Sequence, residues 1–212
     1  LLHIMGGLLS PTEGAVSFEG KPVLKPNPED AAFVFQDYSL FPWKSVKDNV
    51  GAGLRFNGHS KKDASEKALE NLEFVGLKEF AEKFPRQLSG GMQQRVAIAR
   101  ALAMKPKALL MDEPFGALDE QTRRSLGLEM SRILEKSGQT VVLITHSLDE
   151  AIFWADRIIV MSARPGQIAE EIIVDAPRPR SLEFMTTPEF QDIRVRLFEH
   201  LESTHVKVPG AK

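Results

Sequence analysis

The sequence contains no cysteine among its 212 residues, which excludes disulfides, thiolate metal sites and cysteine nucleophiles. It also lacks an apolar run of the roughly 18 to 20 residues that a membrane-spanning helix needs. Neither charge dominates, because 27 basic residues stand against 29 acidic ones. That balance argues against a broad electrostatic surface for nucleic acid. With 42% hydrophobic residues, the chain can still bury a sizeable core.

A further absence concerns phosphate binding, since no G-x-x-x-x-G-K-[ST] run occurs in the chain. Lys21 follows a glycine, but Pro22 comes next and the rest of the motif is missing. The chain opens on residues 1–5 without an initiator methionine, and this segment reads like the middle of an apolar helix. We therefore expect that the natural N-terminus lies upstream and that this sequence is a fragment.

What the chain does contain is a short hydrophobic segment, residues 108–111, that ends in two acids, Asp112 and Glu113. One carboxylate at the end of a buried strand can hold Mg²⁺. Its neighbour can then orient or deprotonate a water for attack on phosphorus. Taken alone, Asp-Glu-Pro more often merely ends a strand at a polar turn.

A second motif is the run Leu-Ser-Gly-Gly-Met-Gln-Gln-Arg at residues 88–95. A Ser-Gly-Gly turn that opens a helix presents free backbone N–H groups to an anion, and the Ser89 hydroxyl can donate a further hydrogen bond. Gly90 and Gly91 let the backbone approach a ligand closely. The alternative is that Ser89 is an ordinary helix N-cap.

Two polar side chains follow other strand-like segments. Gln36 follows the apolar residues 31–35 and precedes an aromatic loop, and His146 follows the β-branched run 140–145. Ligands bind at the carboxyl ends of parallel strands, so both side chains are candidates for contact with a terminal phosphate, a metal or an attacking water. The alternatives are a surface glutamine and a structural histidine.

The alternation of strand and helix patterns between residues 88 and 161 predicts a parallel α/β sheet. Helical periodicity predicts a helical subdomain over about residues 45–104, inserted into that sheet. Within it, we expect one helix from Ser45 to about Leu54 and another over residues 61–75.

The remaining segments predict shorter elements. The pattern predicts a strand over residues 15–19 with a turn at 20–22, and a strand over 140–145 that is covered on both faces. Residues 158–161 and 167–174 predict a strand pair, and a capping box at Ser147 begins the helix before it. Residues 177–180 predict a stiff extended linker within a C-terminal extension from about 175 to 212.

Together these motifs resemble the ATP-binding subunits of ABC transporters, over nearly the whole chain. The matches are the Q-loop at Gln36, the signature at 88–92 (with Met92 in place of the commonest glutamine), the Walker B strand at 109–113, the D-loop at 117–119 and the H-loop at His146. The resemblance implies a P-loop NTPase-type α/β fold with a parallel sheet, here incomplete at its N-terminus, and an inserted helical subdomain.

The resemblance also implies ATP and Mg²⁺ as cofactors. It implies Glu113 and His146 as catalytic residues, with Asp112 and Gln36 at the metal. The nucleotide contacts that it implies come from Gln36, Leu88, Ser89, Gly90, Gly91 and Asp119.

The partners implied by the resemblance are a second ATP-binding subunit in a head-to-tail homodimer and transmembrane permease subunits. A periplasmic or lipoprotein solute-binding protein would act indirectly, and no nucleic acid would bind. The subunit would be peripheral, on the cytoplasmic face of the inner membrane. Phe41-Pro42-Trp43 and residues 174–180 look like those of importers for nitrate, sulfonate, taurine or related organic anions.

Two other functions remain open from the sequence. One is a soluble ABC-type ATPase that acts on DNA or ribosomes instead of in transport. The other is an inactive truncated module, because the phosphate loop is missing from these 212 residues.

Overall fold

The structure is a computed structural model that describes residues 1–116 and 120–205. The chain forms two compact units, Leu1–Ile144 and Thr145–Lys212. Across the described ranges, no helix has both the length and the apolar character needed to cross a bilayer.

The first unit combines a parallel sheet with a group of helices. Its elements in chain order are α1 (Leu2–Met5), β1 (Ser17–Phe18), β2 (Lys21–Pro22), β3 (Ala31–Val34), α2 (Val46–Val50), α3 (Ala52–Phe56), α4 (Lys61–Phe74), α5 (Gly90–Leu102), β4 (Ala108–Asp112), α6 (Glu120–Ser137) and β5 (Thr140–Ile144).

The sheet of the first unit is parallel, with the strand order β3-β4-β5. Val34 pairs with Met111, and Asp112 pairs with Ile144, so the three strands end at one edge. The apolar residues of the central strand β4 are all buried, as expected for a parallel strand that is covered on both faces. The predicted parallel α/β sheet is confirmed.

The strand predicted over residues 140–145 differs in its burial. β5 ends at Ile144, its central residues are only half-buried, and Ile144 is 36% exposed. Among the described residues, β5 pairs with β4 alone and therefore lies at an edge of the sheet. The prediction that both of its faces are covered is wrong, because residues on both faces of β5 are exposed or only half-buried.

The helices α2 to α5 pack against one another, and α5 also packs against β3. On α4, Ala64, Ala68 and Leu72 form a buried stripe at helical spacing, which confirms the predicted helix. The helix predicted from Ser45 to Leu54 is instead divided into α2 and α3 at Gly51. A Cβ on Gly51 would lie 3.1 Å from the carbonyl oxygen of Ala64, so a glycine permits the close approach of α4.

The N-terminal strand is also shorter than predicted. β1 contains only Ser17 and Phe18, and it pairs with β2 at Lys21 and Pro22. Glu19 and Gly20 have φ angles of 48° and 77° and form the two-residue turn between the strands. The predicted turn at residues 20–22 is therefore wrong, because Lys21 and Pro22 lie in a strand.

The second unit contains α7 (Leu148–Trp154), β6 (Arg157–Met161), β7 (Ile168–Ile173) and α8 (Pro188–His205). β6 and β7 form the predicted strand pair, which is antiparallel, and the Ser147 Oγ accepts the Glu150 N–H at 3.3 Å to cap α7.

The predicted linker at residues 177–180 is attached to the end of α7 by its two arginines. The Arg180 side chain is buried there, and it donates hydrogen bonds to the carbonyl oxygens of Ile152, Phe153 and Ala155. Residues 177–179 are exposed, so this segment packs into the unit mainly through Arg180.

Candidate functional site

The carboxyl ends of β3 and β4 bring three of the predicted site residues to one edge of the sheet. Gln36 follows β3 by two residues, Asp112 ends β4, and Glu113 follows directly. The Gln36 Nε2 donates a hydrogen bond to the Glu113 Oε2 at 3.4 Å. A parallel sheet places such side chains together because its strands end at the same edge, where α/β proteins bind ligands.

The backbone of Glu113 is held in an uncommon conformation. Its φ is 40°, in the left-handed region where a residue with a Cβ is strained by about 1–3 kcal/mol. Its N–H donates to the Ile144 carbonyl at 2.9 Å, and its own carbonyl accepts the Gly116 N–H at 3.0 Å. These bonds fix the direction in which the chain leaves β4 and therefore the point from which the Glu113 side chain extends.

Gly116 lies against both polar side chains. A Cβ on Gly116 would lie 3.1 Å from the Gln36 Nε2 and 3.4 Å from the Glu113 Oε2. A larger residue would therefore have to displace one of the two groups. Sequence reasoning missed this position, although a glycine three residues after a strand-terminal acid is a visible signal of close approach.

Two further residues missed from the sequence hold the segment after Gln36. The Asn49 Nδ2 donates to the carbonyls of Phe41, Lys44 and Ser45, and its Oδ1 accepts the Phe41 N–H at 2.8 Å. Arg100 donates to two carbonyls nearer to Gln36. For Asn49, the available signal was a polar residue between the valines of an otherwise apolar helix face.

The signature residues lie at the start of α5. The Ser89 Oγ accepts the Met92 N–H at 3.3 Å, which leaves the hydroxyl proton of Ser89 for another acceptor. Ser89 is exposed, whereas Gly91 is buried. The Leu88 carbonyl accepts a hydrogen bond from the Gln93 Nε2 at 3.2 Å. Since the first N–H groups of a helix lack intrahelical acceptors, Gly90 and Gly91 lie where an anion is favoured.

Within the first unit, the predicted site residues thus divide into two groups. Ser89 and Arg100 lie at opposite ends of α5, about 16 Å apart along the helix axis, so the signature is remote from the Gln36 loop. His146 belongs to the second unit, where it is exposed and directly follows Thr145. The Thr145 hydroxyl donates to the Glu150 Oε2 at 2.6 Å. Asp119, like the rest of the segment 117–119, lies outside the described residues.

The side chains at this edge of the sheet are better suited to Mg²⁺ than to a metal that is held by several protein ligands. Within the described part of the chain, no three His, Cys, Asp or Glu side chains are grouped as a metal site. Mg²⁺ does not need such a group, because it binds through one or two carboxylates while waters and substrate phosphates supply the other ligands. The half-buried Asp112 and the Gln36 amide oxygen are compatible with that type of site.

Comparison with known protein families gives a match over the first half of the chain. Residues 1–116 match the family described as ABC transporter. A nitrate import ATP-binding protein of Synechocystis sp. is 44% identical over 196 residues, which are 90% of this chain and 73% of that protein. A taurine import ATP-binding protein of Rhizobium johnstonii is 44% identical over 211 residues, which are 96% of this chain and 79% of that protein.

A solved structure gives the same result for the fold. The structure of a dimeric ATP-binding cassette in a post-hydrolysis state, bound to ADP and Pi, superposes with a TM-score of 0.68 at 34% identity. The match covers 83% of this chain and 80% of that one.

Proposed function

Because this chain belongs to the ABC transporter family and is an ATP-hydrolysing, ATP-binding subunit of it, we propose that it powers an importer of a small organic or inorganic anion. The names of two relatives at 44% identity, one for nitrate import and one for taurine import, support this substrate class. The features of this chain that resemble such importers are the Phe41-Pro42-Trp43 loop and residues 174–180.

The hydrolytic chemistry is assigned to the edge of the sheet. Glu113 accepts a proton from the attacking water as that water bonds to the γ-phosphorus, and the bond from this phosphorus to the β-phosphate oxygen breaks to leave ADP and phosphate. Gln36 orients the carboxylate and the water, and Asp112 and the Gln36 amide oxygen would hold Mg²⁺, which would offset the charge of the phosphates. The hydrogen bond between Gln36 and Glu113 is the observation that carries this assignment.

The signature is assigned to the nucleotide of a second copy. Leu88, Ser89, Gly90 and Gly91 would face a triphosphate held by the partner, since a helix N-terminus with an exposed hydroxyl stabilises negative charge. The distance along α5 between Ser89 and the Gln36 loop supports two half-sites rather than one. The solved cassette that this chain resembles is a dimer bound to ADP and Pi, which supports a pairing of two copies.

His146 is assigned to the γ-phosphate or the attacking water, and Asp119 to the dimer contact beside the nucleotide. ATP binding would close the dimer and hydrolysis would reopen it, so that bound permease subunits alternate their access. The subunit would act at the cytoplasmic face of the inner membrane, beside a permease that receives solute from a binding protein.

The experiment that tests this function is transport by the natural subunit assembled with its permease in lipid vesicles, with the solute-binding protein and the solute on the opposite side of the membrane. With ATP on the side of the subunit, labelled nitrate or taurine should accumulate on that side. The Glu113→Ala variant should abolish the accumulation. ATP-driven movement in the opposite direction, or equal transport by the variant, would contradict the proposal.

A further inference from the structure

The chain turns sharply two residues after Gln36, in a conformation that its residues do not favour. Tyr38 and Ser39 have φ angles of 60° and 45°, so two consecutive residues with a Cβ lie in the left-handed region. Each such residue is strained by about 1–3 kcal/mol unless its surroundings hold it. The Tyr38 side chain is buried, whereas Ser39 is exposed.

One side chain of α5 contacts both strained residues. The Arg100 Nη1 donates to the Ser39 carbonyl at 2.6 Å, and its Nη2 donates to the Tyr38 carbonyl at 2.8 Å. A guanidinium is a rigid fork, so it can hold two neighbouring carbonyls in one fixed geometry. Burial lowers the pKa of the Arg100 guanidinium and the charge of Asp37 raises it, but an arginine remains protonated at neutral pH.

We propose that Arg100 is a positioning residue for hydrolysis: by holding the strained turn at Tyr38 and Ser39, it fixes the place where the Gln36 amide meets the Glu113 carboxylate. This inference rests on the proposed roles of Gln36 and Glu113. It adds that α5, which begins with the signature at Ser89, ends on the loop that orients the hydrolytic carboxylate.

A lysine at position 100 would keep the charge but lose the fork. Its single ammonium cannot reproduce two parallel hydrogen bonds in the planar geometry of a guanidinium. The turn would then relax, and Gln36 would orient Glu113 less often. We expect kcat to fall about tenfold, which corresponds to the loss of one hydrogen bond to a charged group. The KM for ATP should stay the same, because no nucleotide-binding group is removed.

The test is a double-mutant cycle of Arg100→Lys and Gln36→Ala, measured as steady-state ATP turnover of the natural subunit with its permease. If Arg100 acts through Gln36, Arg100→Lys should lower kcat no further once Gln36 is alanine. The matched control is Arg95→Lys on the same helix, because Arg95 donates to Glu129 and to the Val75 carbonyl instead. Any fall in kcat caused by Arg95→Lys should be the same factor whether residue 36 is glutamine or alanine.

A second variant covers the case in which Arg100→Lys does not fold. Ser39→Pro leaves Arg100 and Gln36 in place but forbids the positive φ at an exposed position. It should also lower kcat without changing KM, and it should have no further effect on the Gln36→Ala variant.

The outcomes separate this inference from the proposed function. One outcome is that Gln36→Ala lowers turnover while Arg100→Lys or Ser39→Pro still lowers kcat by its full factor in the Gln36→Ala background. That result would overturn the positioning role of Arg100 and leave the hydrolytic assignment in place. Undiminished turnover in Gln36→Ala would overturn the assignment of Gln36, and the inference with it.

Discussion

The α-carbon of Gly116 lies so close to Gln36 that a methyl group on it would be 3.1 Å from the Gln36 amide nitrogen. The same methyl group would be 3.3 Å from the Glu113 carbonyl oxygen, which belongs to the backbone and yields less readily. The contact between Gln36 and Glu113 therefore requires a residue without a side chain at position 116, in addition to the hydrogen bond between the two.

Gly116→Ala should lower ATP turnover several-fold with little loss of stability. The added Cβ must displace the Gln36 amide by a few tenths of an ångström, which lengthens a hydrogen bond that is already 3.4 Å. Steady-state phosphate release and a thermal melt would measure the two effects. The control is Gly166→Ala, where the nearest atom would be at an ordinary contact distance of 3.6 Å and no change is expected. Equal turnover in both variants would contradict this role of Gly116.

Ser89→Ala should lower both the stability of the protein and its ATP turnover, and Ser60→Ala is the control that distinguishes the two effects. Ser89 and Ser60 are both exposed N-cap residues whose Oγ accepts a backbone N–H, from Met92 and from Asp63. Each alanine variant should therefore destabilise the protein by about 1 kcal/mol. Only Ser89→Ala should also lower ATP turnover, since only its hydroxyl is assigned to a nucleotide. If Ser60→Ala reduces turnover as much, loss of the cap explains the result.

The ion pairs around Asp63 predict a loss of stability in acid. A hydrogen bond from His59 is the largest cause that holds the pKa of the Asp63 carboxyl below its usual value near 3.8, and Lys67 adds to it. A depressed folded-state pKa stabilises the protein above the unfolded value, and this stabilisation is lost as the pH falls through the folded value. The measurement is the urea midpoint of the unmodified protein and of Asp63→Asn between about pH 7 and pH 3. The midpoint of the unmodified protein should approach that of Asp63→Asn below about pH 4. A constant difference between the two proteins across that range would contradict the prediction.

Of the arginines in the second unit, Arg180 should be the one whose substitution lowers the free energy of unfolding most. Its guanidinium is buried and donates to the carbonyls of Ile152, Phe153 and Ala155 near the end of α7, so Arg180→Met would leave these acceptors without their donor. We expect a loss of about 3 kcal/mol in the free energy of unfolding. Urea titration followed by the fluorescence of Trp154, in a Trp43→Phe background, would measure it.

The control for Arg180 is Arg178→Met. Arg178 donates to Asp156 and to the Trp154 carbonyl from a more exposed position, where ion pairs contribute about 0–1 kcal/mol. Its loss should therefore cost about 1 kcal/mol. If both variants lose the same free energy of unfolding, burial does not determine how much Arg180 stabilises the protein.

The sequence predicted those elements whose signals are local. The buried stripe of α4 repeats at helical spacing, β4 is continuously apolar, and Ser147 has the residues of a capping box, so each could be recognised without the fold. The end of a parallel strand likewise indicated Gln36 and Glu113, although their contact joins residues that are 77 positions apart.

The features that the sequence did not predict depend on contacts between distant segments. Gly51 interrupts a continuous helical pattern because α4 approaches it, and Arg180 looks like a linker residue until α7 is present to receive its hydrogen bonds. The low burial of β5 could not be predicted from its residues, since a β-branched run is as typical of an edge strand as of a central one. No local pattern carries this information.

The measurement that tests the hydrolytic assignment most directly is phosphate release by Glu113→Gln in the natural subunit, together with its oligomeric state in ATP. The amide keeps the shape of the side chain but cannot take a proton from water, so release should fall by at least about a hundredfold. ATP should then hold the variant as a stable dimer. Glu82→Gln, at an exposed acid paired with Lys47, is the control and should behave like the unmodified protein. Undiminished phosphate release by Glu113→Gln, with no accumulation of dimer, would contradict the account.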